Sequence, residues 1–73
     1  MEFVKVKSSM IKEVAHSADT GTLYVRFKND TLYSYSDVPV FMFKELLEAE
    51  SKGKFFTEHI KKVFSFKRLL EEP

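Results

Sequence analysis

The chain contains no cysteine and only two glycines and two prolines among its 73 residues. Without cysteine, neither disulfide bonds nor thiolate metal ligands are available to stabilise a domain this short. The two glycines lie far apart, which excludes the P-loop and the dinucleotide-binding fingerprint, since both need clustered glycines. A chain without thiols suits the reducing cytoplasm.

Long apolar runs are also missing, because no stretch approaches the ~20 residues that cross a bilayer. Residues 1–5 lack the charged and apolar regions of a secretory signal. These absences predict a soluble, cytoplasmic protein with no membrane partner. A chain of 73 residues has room for one domain, predicted to span residues 1–73, with eight phenylalanines as the main source of its core.

The charges are segregated along the chain, although the net charge is only +1. Residues 30–50 hold five acidic residues against one lysine, whereas residues 52–68 hold six basic residues against one glutamate. Such asymmetry within one small domain indicates an interaction surface.

Alternating apolar and polar residues predict three antiparallel strands, at residues 10–15, 23–27 and 31–36. In the first strand this alternation places Ile11 and Val14 on opposite faces. Asn29 and Asp30 tolerate positive φ and predict a two-residue hairpin loop. Residues 4–7 either extend the first strand or add a short fourth strand.

Beyond residue 36 the apolar residues recur three and four positions apart, which predicts two helices. Asp37 is expected to cap the start of the first helix and Gly53 to end it in a left-handed conformation. Thr57 is expected to cap the second helix, and residues 66–73 to fray as a tail. The predicted fold is α+β, with a three-stranded antiparallel sheet followed by two C-terminal helices packed on one face.

Several short segments occur in a recognisable order along the chain. They are Val-Lys-Ser-Ser-Met-Ile at 6–11, Leu-Tyr-Val-Arg-Phe at 23–27, Tyr-Ser-Tyr at 33–35, Val-Pro at 38–39, Ala-Glu-Ser-Lys-Gly-Lys-Phe-Phe at 49–56, Ile-Lys at 60–61 and Phe-Ser-Phe at 64–66. Together they resemble the KTSC domain family, which is named for an appendage at the C-terminus of some lysyl-tRNA synthetases. The family also occurs as free-standing small bacterial and phage proteins. The resemblance implies a fold, suggests RNA binding and supplies no catalytic residues.

Two positions depart from the family pattern. His16-Ser17 stands where the family usually shows a Tyr-Asp pair, which puts any site of that pair in doubt. Asn29-Asp30 stands where a turn glycine is frequent, and this change is conservative for a hairpin.

The tyrosines of the predicted hairpin suggest a stacking surface. With a two-residue loop, Tyr24 lies opposite Tyr35 and Arg26 opposite Tyr33, so all four share the face that the helices leave open. Aromatic platforms flanked by cations stack single-stranded bases. The alternative is that these tyrosines only pack together on a half-exposed sheet. A register shifted by one residue would bury them instead.

The basic segment offers a second candidate contact with nucleic acid. Its six cations are predicted to neutralise several phosphates, and the candidate binding residues among them are Lys52, Lys54, Lys61 and Lys62. The alternative is a solvated helix face, with Glu48 or Glu50 paired to Lys52 or Lys54.

Catalytic and metal-binding patterns are poorly represented. His16 and His59 have no third ligand at a recognisable spacing, so no metal site or cofactor is predicted. Ser8 and Ser9 lack a paired base and are expected to bond the backbone at the start of a strand. We therefore expect a chain that is not an enzyme.

The residues and the resemblance together predict a small non-catalytic binding module. RNA or another single-stranded nucleic acid is the leading ligand. The alternative is a protein-interaction or oligomerisation module that uses exposed phenylalanines from the segments 55–56 and 64–66. In either case a monomer or a weak homodimer is expected.

Overall fold

The computed structural model describes residues 2–69, which form one five-stranded antiparallel sheet and two short helices. The strands follow chain order across the sheet: β1 (Val4–Lys5), β2 (Ile11–Ser17), β3 (Thr22–Phe27), β4 (Leu32–Tyr35) and β5 (Phe66–Leu69). Between β4 and β5 the chain forms α1 (Val40–Glu48) and α2 (Lys52–Phe56), and α2 continues directly into a π-helical segment (Thr57–Lys61). The predicted α+β class, antiparallel sheet and two helices are confirmed, but the prediction of three strands is wrong.

The two additional strands lie at the edges of the sheet. Residues 4–7 contribute β1, which confirms the short additional strand as one of the two alternatives left open. Phe66–Leu69 was expected to fray, but it pairs with β4 from Tyr35 opposite Phe66 to Leu32 opposite Leu69. A hydrogen bond from the Ser36 N–H to the Ser65 carbonyl, 2.9 Å long, continues this pairing. The other residues of the expected tail, 70–73, lie outside the described part of the chain.

The hairpin between β3 and β4 has a three-residue loop instead of the predicted two-residue loop. Asp30 adopts φ of 70°, and the Phe27 N–H donates to the Thr31 carbonyl at 2.9 Å. The side-chain oxygen of Asn29 accepts from the Thr31 N–H at 3.1 Å, which supports the turn locally. A left-handed residue at the end of a three-residue loop is a common way to close a hairpin. Because of the extra loop residue, Val25 lies opposite Tyr33 and Leu23 opposite Tyr35.

The strand β2 contains a bulge near its start. Ile11 pairs with Phe27, but Glu13 pairs with Arg26, so the register shifts by one residue between them. This extra residue brings Ile11 and Val14 to the same, fully buried face. The strict alternation predicted for residues 10–15 is therefore wrong.

The predicted cap of α1 is replaced by tertiary hydrogen bonds. Asp37 has φ of 60° and precedes the helix, which begins at Val40 without a side-chain cap. The chain ahead of the helix is held through Val38, whose N–H donates to the Gly21 carbonyl at 2.8 Å. His16 Nε2 donates to the Val38 carbonyl at 2.7 Å.

The second helix begins earlier than predicted and includes Gly53. Its N-terminal cap is Ser51, whose hydroxyl accepts from the Lys54 N–H at 3.3 Å. Thr57, predicted as this cap, instead follows α2 and donates its hydroxyl to the Gly53 carbonyl at 2.9 Å. The predicted roles of Gly53 and Thr57 are wrong because α1 ends at Glu48, several residues before Gly53.

One hydrophobic core lies between the sheet and the helices. Its buried members are Ile11, Val14, Leu23, Val25, Tyr35, Val38, Leu46, Phe56 and Ile60. The helices contribute Leu46, Phe56 and Ile60, so they cover the face of the sheet that carries Leu23 and Val25. In residues 2–69 no helix covers the opposite face, which we term the open face.

Candidate nucleic-acid interface

The predicted stacking surface of three tyrosines and Arg26 is not formed. The one-residue difference in hairpin register places Tyr33 and Tyr35 on the helix-covered face, opposite Val25 and Leu23. Tyr24 and Arg26 remain on the open face, because neighbouring residues of a strand point to opposite sides.

On the open face, Arg26 is engaged by its neighbours. Its Nε donates to Glu13 at 3.0 Å and its Nη1 to the Asp30 carbonyl at 3.3 Å. Its guanidinium lies 5.9 Å from the ring centroid of Phe3, and that ring contacts Tyr24 edge-on at 6.5 Å. Glu13 offsets the arginine charge, so this cluster is not a basic surface for phosphates.

An aromatic cleft of about 500 Å³ opens on the helix side of the sheet. It lies between the β3–β4 hairpin and the end of the π-helical segment. Five rings line it, from Phe27, Tyr33, Tyr35, Phe56 and Phe66. Most adjacent rings meet edge-to-face or tilted, with centroids 5.6 Å apart for Phe27 and Tyr33, 5.3 Å for Tyr35 and Phe56, and 5.7 Å for Tyr33 and Phe66. Tyr33 and Tyr35 are instead stacked, with centroids 6.4 Å apart. We keep the name aromatic cleft for this site.

The rings differ in how far a ligand can reach them. Tyr35 and Phe56 are 3% and 1% exposed, so they form the floor of the aromatic cleft. Phe66 is 62% exposed, while Phe27 and Tyr33 are half-buried. Phe66 is therefore the ring most available for stacking, and the half-buried Tyr33 lies directly beside it.

Tyr35 stays neutral over the physiological pH range. Burial of its ring raises the pKa of the hydroxyl to about 12, because desolvation disfavours the phenolate, and the nearby Tyr33 adds to this effect. The floor of the aromatic cleft thus carries no charge of its own.

The rim of the aromatic cleft is basic. Lys28 and Lys61 both line it, and no aspartate or glutamate among residues 2–69 does so. Asn29 also lines it, and its side-chain oxygen accepts from both the N–H and the hydroxyl of Thr31. The Asn29 oxygen is thus occupied, and its amide N–H groups are the donors left for a ligand.

Two further basic residues lie on β5, on opposite faces of the sheet. Arg68 is paired with Tyr33, so the two side chains share the face of the aromatic cleft. Lys67 is paired with Ser34 on the open face. Positive charge therefore continues from the rim along the edge of the sheet.

The four lysines predicted to meet phosphates do not act as one group. Only Lys61 lines the aromatic cleft. Lys52 Nζ donates to the Ala49 carbonyl at 2.9 Å beside the end of α1. Lys54 and Lys62 are exposed, and Lys54 borders a separate polar groove beside Ser8.

The acidic residues before this segment do not neutralise it through ion pairs. Within residues 2–69, the ion pairs present are Lys12 with Asp30 and Arg26 with Glu13, at 2.9 and 3.0 Å. The pairing of Glu48 or Glu50 with Lys52 or Lys54, which belonged to the alternative of a solvated helix face, is therefore not formed within residues 2–69.

The sequence alone missed Phe27, Lys28, Asn29 and Phe66 as site residues. The sequence did contain a partial indication of Phe66, because the basic segment holds more phenylalanines than one short helix needs for its core. The incorrect hairpin register placed Tyr33 and Tyr35 on the open face, on the opposite side of the sheet from Lys61.

The two histidines and Ser8 have structural contacts. His16 stacks on Phe43 with centroids 5.4 Å apart, and His59 contacts Phe55 at 4.7 Å. Ser8 Oγ accepts from the N–H groups of Met10 and Ile11 at 3.0 and 3.1 Å, which confirms its expected role at the start of a strand.

Two further features of the described residues, 2–69, are the grouping of metal-ligand side chains and the hydrophobicity of the helices. Among residues 2–69, no three histidine, cysteine, aspartate or glutamate side chains cluster closely enough to bind a metal ion. Across the same residues, no helix has the length and hydrophobicity to cross a membrane.

The fold and the aromatic cleft define a small α+β domain in which a five-stranded antiparallel sheet carries two short helices on one face. The KTSC domain model matches residues 7–64, and the chain belongs to the KTSC family. The crystal structure of a KTSC domain protein from Yersinia pestis superimposes with a TM-score of 0.90 at 29% identity, covering 93% of this chain and 96% of that one.

Two kinds of relative are similar in sequence. The lysine–tRNA ligase of Trichormus variabilis is 36% identical over 66 residues, which cover 90% of this chain but only 12% of the ligase. A protein of Stutzerimonas stutzeri that is designated uncharacterized is 33% identical over 61 residues, covering 84% of this chain and 86% of that protein. The same domain thus resembles both a small part of a long enzyme and nearly the whole of a short protein.

Proposed function

We propose that this chain is a non-catalytic cytoplasmic module that binds RNA or another single-stranded nucleic acid at the aromatic cleft. The observation that carries this proposal is the combination of an exposed ring, Phe66, with two lysines on a rim to which residues 2–69 contribute no carboxylate. Any base can stack on the exposed ring, whatever the nucleic-acid sequence, and the lysines bind the phosphates beside it. Arg68, on the same face, extends the positive surface along β5.

The similarity to lysine–tRNA ligases supports RNA over DNA as the ligand. Those relatives are named for a reaction on tRNA, and this chain matches 12% of the length of the one from Trichormus variabilis. A segment that small is suited to an accessory binding role beside a larger catalytic part. The absence of cysteine suits the reducing cytoplasm, where tRNA is charged.

A titration with matched oligonucleotides tests this proposal. Single-stranded RNA, single-stranded DNA and duplex RNA of one sequence are compared at low and moderate salt. We expect the single strands to bind more tightly than the ~10⁻⁴ M typical of the weakest non-specific binding, and more tightly than the duplex. Equal binding of duplex and single strands would contradict a role for stacking.

A second candidate function is protein interaction or oligomerisation. Of the phenylalanines predicted to be exposed, Phe56 is buried and only Phe66 is largely accessible. A separate observation favours this candidate: Val40 and Phe41 are 49% and 56% exposed at the start of α1. Sedimentation velocity over a range of concentrations tests it, because self-association through α1 would be lost in Phe41→Ala.

A further inference from the structure

We infer that the aromatic cleft is a pocket for one nucleotide, so that a nucleoside monophosphate, with one base and one phosphate, is sufficient to occupy it. This inference rests on the proposed function and narrows it from a binding surface for a strand to a site for a single residue of that strand.

The size of the aromatic cleft favours a single nucleotide. Its volume of about 500 Å³ falls within the range of ~300–1,000 Å³ for small-molecule sites. Buried Tyr35 and Phe56 close its floor, so a base enters between the hairpin and the π-helical segment. A flat platform for successive bases would instead leave several ring faces exposed along the sheet.

The orientation of the accessible rings also limits the number of bases. Tyr33 and Phe66 are tilted by 41° to each other, with centroids 5.7 Å apart. Bases that follow one another in a stack are nearly parallel, and two rings tilted this far cannot each support one of them. One base therefore stacks on Phe66 or Tyr33, and the next nucleotide lies outside.

The polar groups on the rim call for an anionic ligand. Lys28, Lys61 and the Asn29 amide N–H groups are all donors, and no carboxylate among residues 2–69 lines the aromatic cleft. Phosphate oxygens accept hydrogen bonds from such donors, and these bonds are stronger than neutral ones because the phosphate and the lysines are charged. A nucleoside can stack on the rings but has no phosphate for the lysines to bind. Inorganic phosphate can bind the lysines but has no base to stack on the rings.

A ligand series tests this requirement for both groups. The chain has no tryptophan, and two of its three tyrosines line the aromatic cleft, so intrinsic tyrosine fluorescence and the ring signals in NMR report occupancy. The probes are adenosine and uridine 5′-monophosphates, the corresponding nucleosides, inorganic phosphate and a short single-stranded RNA. We expect the monophosphates to bind saturably, and the nucleosides and phosphate each to bind at least about fivefold more weakly, since charged hydrogen bonds and ring stacking each contribute at least that much.

The outcomes separate this inference from the proposed function. Binding of the RNA without binding of the monophosphates overturns the one-nucleotide pocket and leaves the proposed function standing. Binding of the monophosphates without the RNA retains the pocket and overturns the strand-binding function. Monophosphates that bind no better than inorganic phosphate overturn the inference, and failure of every probe overturns both.

Matched variants locate the site on the surface. Phe66→Ala is compared with Phe41→Ala, because both rings are more than half exposed but only Phe66 lines the aromatic cleft. Loss of one base–aromatic stack weakens monophosphate binding by about 5- to 150-fold, and Phe41→Ala leaves it unchanged. Phe66→Leu, which keeps apolar bulk beside Tyr33, separates loss of stacking from loss of fold.

The adjacent lysines provide the second comparison. Lys61→Ala is expected to weaken monophosphate binding, whereas Lys62→Ala is not, because Lys62 is exposed and does not line the aromatic cleft. Equal losses in the two variants would indicate attraction to a general positive surface and would overturn the pocket.

Discussion

Tyr33 and Phe66 lie on neighbouring strands with ring centroids 5.7 Å apart, and together they form the accessible wall of the aromatic cleft. Tyr33 was expected on the opposite face of the sheet and Phe66 in a frayed tail. Their contact exists because the loop at residues 28–30 sets the register of β4 and because β5 pairs with β4. The candidate site therefore depends on two long-range features of the fold.

The position of Gly53 inside α2 can be tested with two substitutions. A β-carbon at Gly53 would lie 3.5 Å from Met10 Cε and 3.7 Å from Ser8 Oγ, which are ordinary contact distances. Gly53→Ala should stabilise the domain by up to ~1 kcal/mol, because alanine favours a helix interior over glycine. Gly53→Val should destabilise it, because its methyl groups extend into Met10 and Ser8. Urea unfolding measures both, and destabilisation by alanine would indicate the left-handed cap predicted from sequence.

The three-residue hairpin loop predicts opposite effects at two adjacent positions. Asp30→Gly should raise the melting temperature, because glycine adopts φ of 70° without strain and the exposed ion pair with Lys12 contributes little. Asn29→Gly should lower it, because the Asn29 oxygen accepts two hydrogen bonds from Thr31. A two-residue loop would need positive φ at both positions, so stabilisation by both glycines would contradict the observed register.

The raised pKa of Tyr35 predicts a loss of stability at alkaline pH. Its folded-state pKa of about 12 exceeds the ordinary value of 10.0, so the contribution is fully present below pH 10 and is lost as pH rises towards 12. Tyr35→Phe should remove this part of the decline, whereas Tyr24→Phe, on the open face, should retain it. Denaturant unfolding at a series of alkaline pH values measures the difference, and identical slopes in the two variants would show that Tyr35 ionises without unfolding the domain.

The core predicts that phenylalanines differ sharply in their effect on stability. Phe56 is 1% exposed and contacts both Phe27 and Tyr35, so Phe56→Ala should cost ~3–5 kcal/mol. A core of this size supplies roughly the same amount, so the variant should be largely unfolded by circular dichroism. Phe41→Ala should change stability by no more than about 0.5 kcal/mol, because its ring is 56% exposed. Comparable losses in both would contradict the packing of α2 on the sheet.

The sequence predicted features that depend on short-range patterns. Alternation in residues 23–27 located β3, and the change to three- and four-residue spacing after residue 36 located α1 and indicated a second helix, although with the wrong start. The KTSC resemblance rested on segments whose order in the chain is visible without a structure, and the family is confirmed. The role of Ser8 was also predictable, because its hydrogen bonds reach only two and three residues along the chain.

The helix boundaries were decided partly by tertiary contacts. The chain before α1 is held by His16 and Gly21, both of which bond Val38 from the β2–β3 hairpin. These long-range hydrogen bonds leave no pattern in the local sequence, which therefore predicted Asp37 as the cap. Ser51 was a predictable cap by residue type, but Gly53 two residues later gave a competing local signal for a helix end.

The placement of the aromatic cleft was decided by tertiary structure alone. A one-residue difference in the hairpin loop exchanges the two faces of β4, and both loop lengths are compatible with Asn29 and Asp30. Phe66–Leu69 forms a strand only because the second helix returns the chain beside β4, whose backbone groups need partners. Periodicity thus determined the fold class, and the order of short motifs indicated the family. Register and edge pairing, which depend on distant backbone hydrogen bonds, determined which rings and lysines meet.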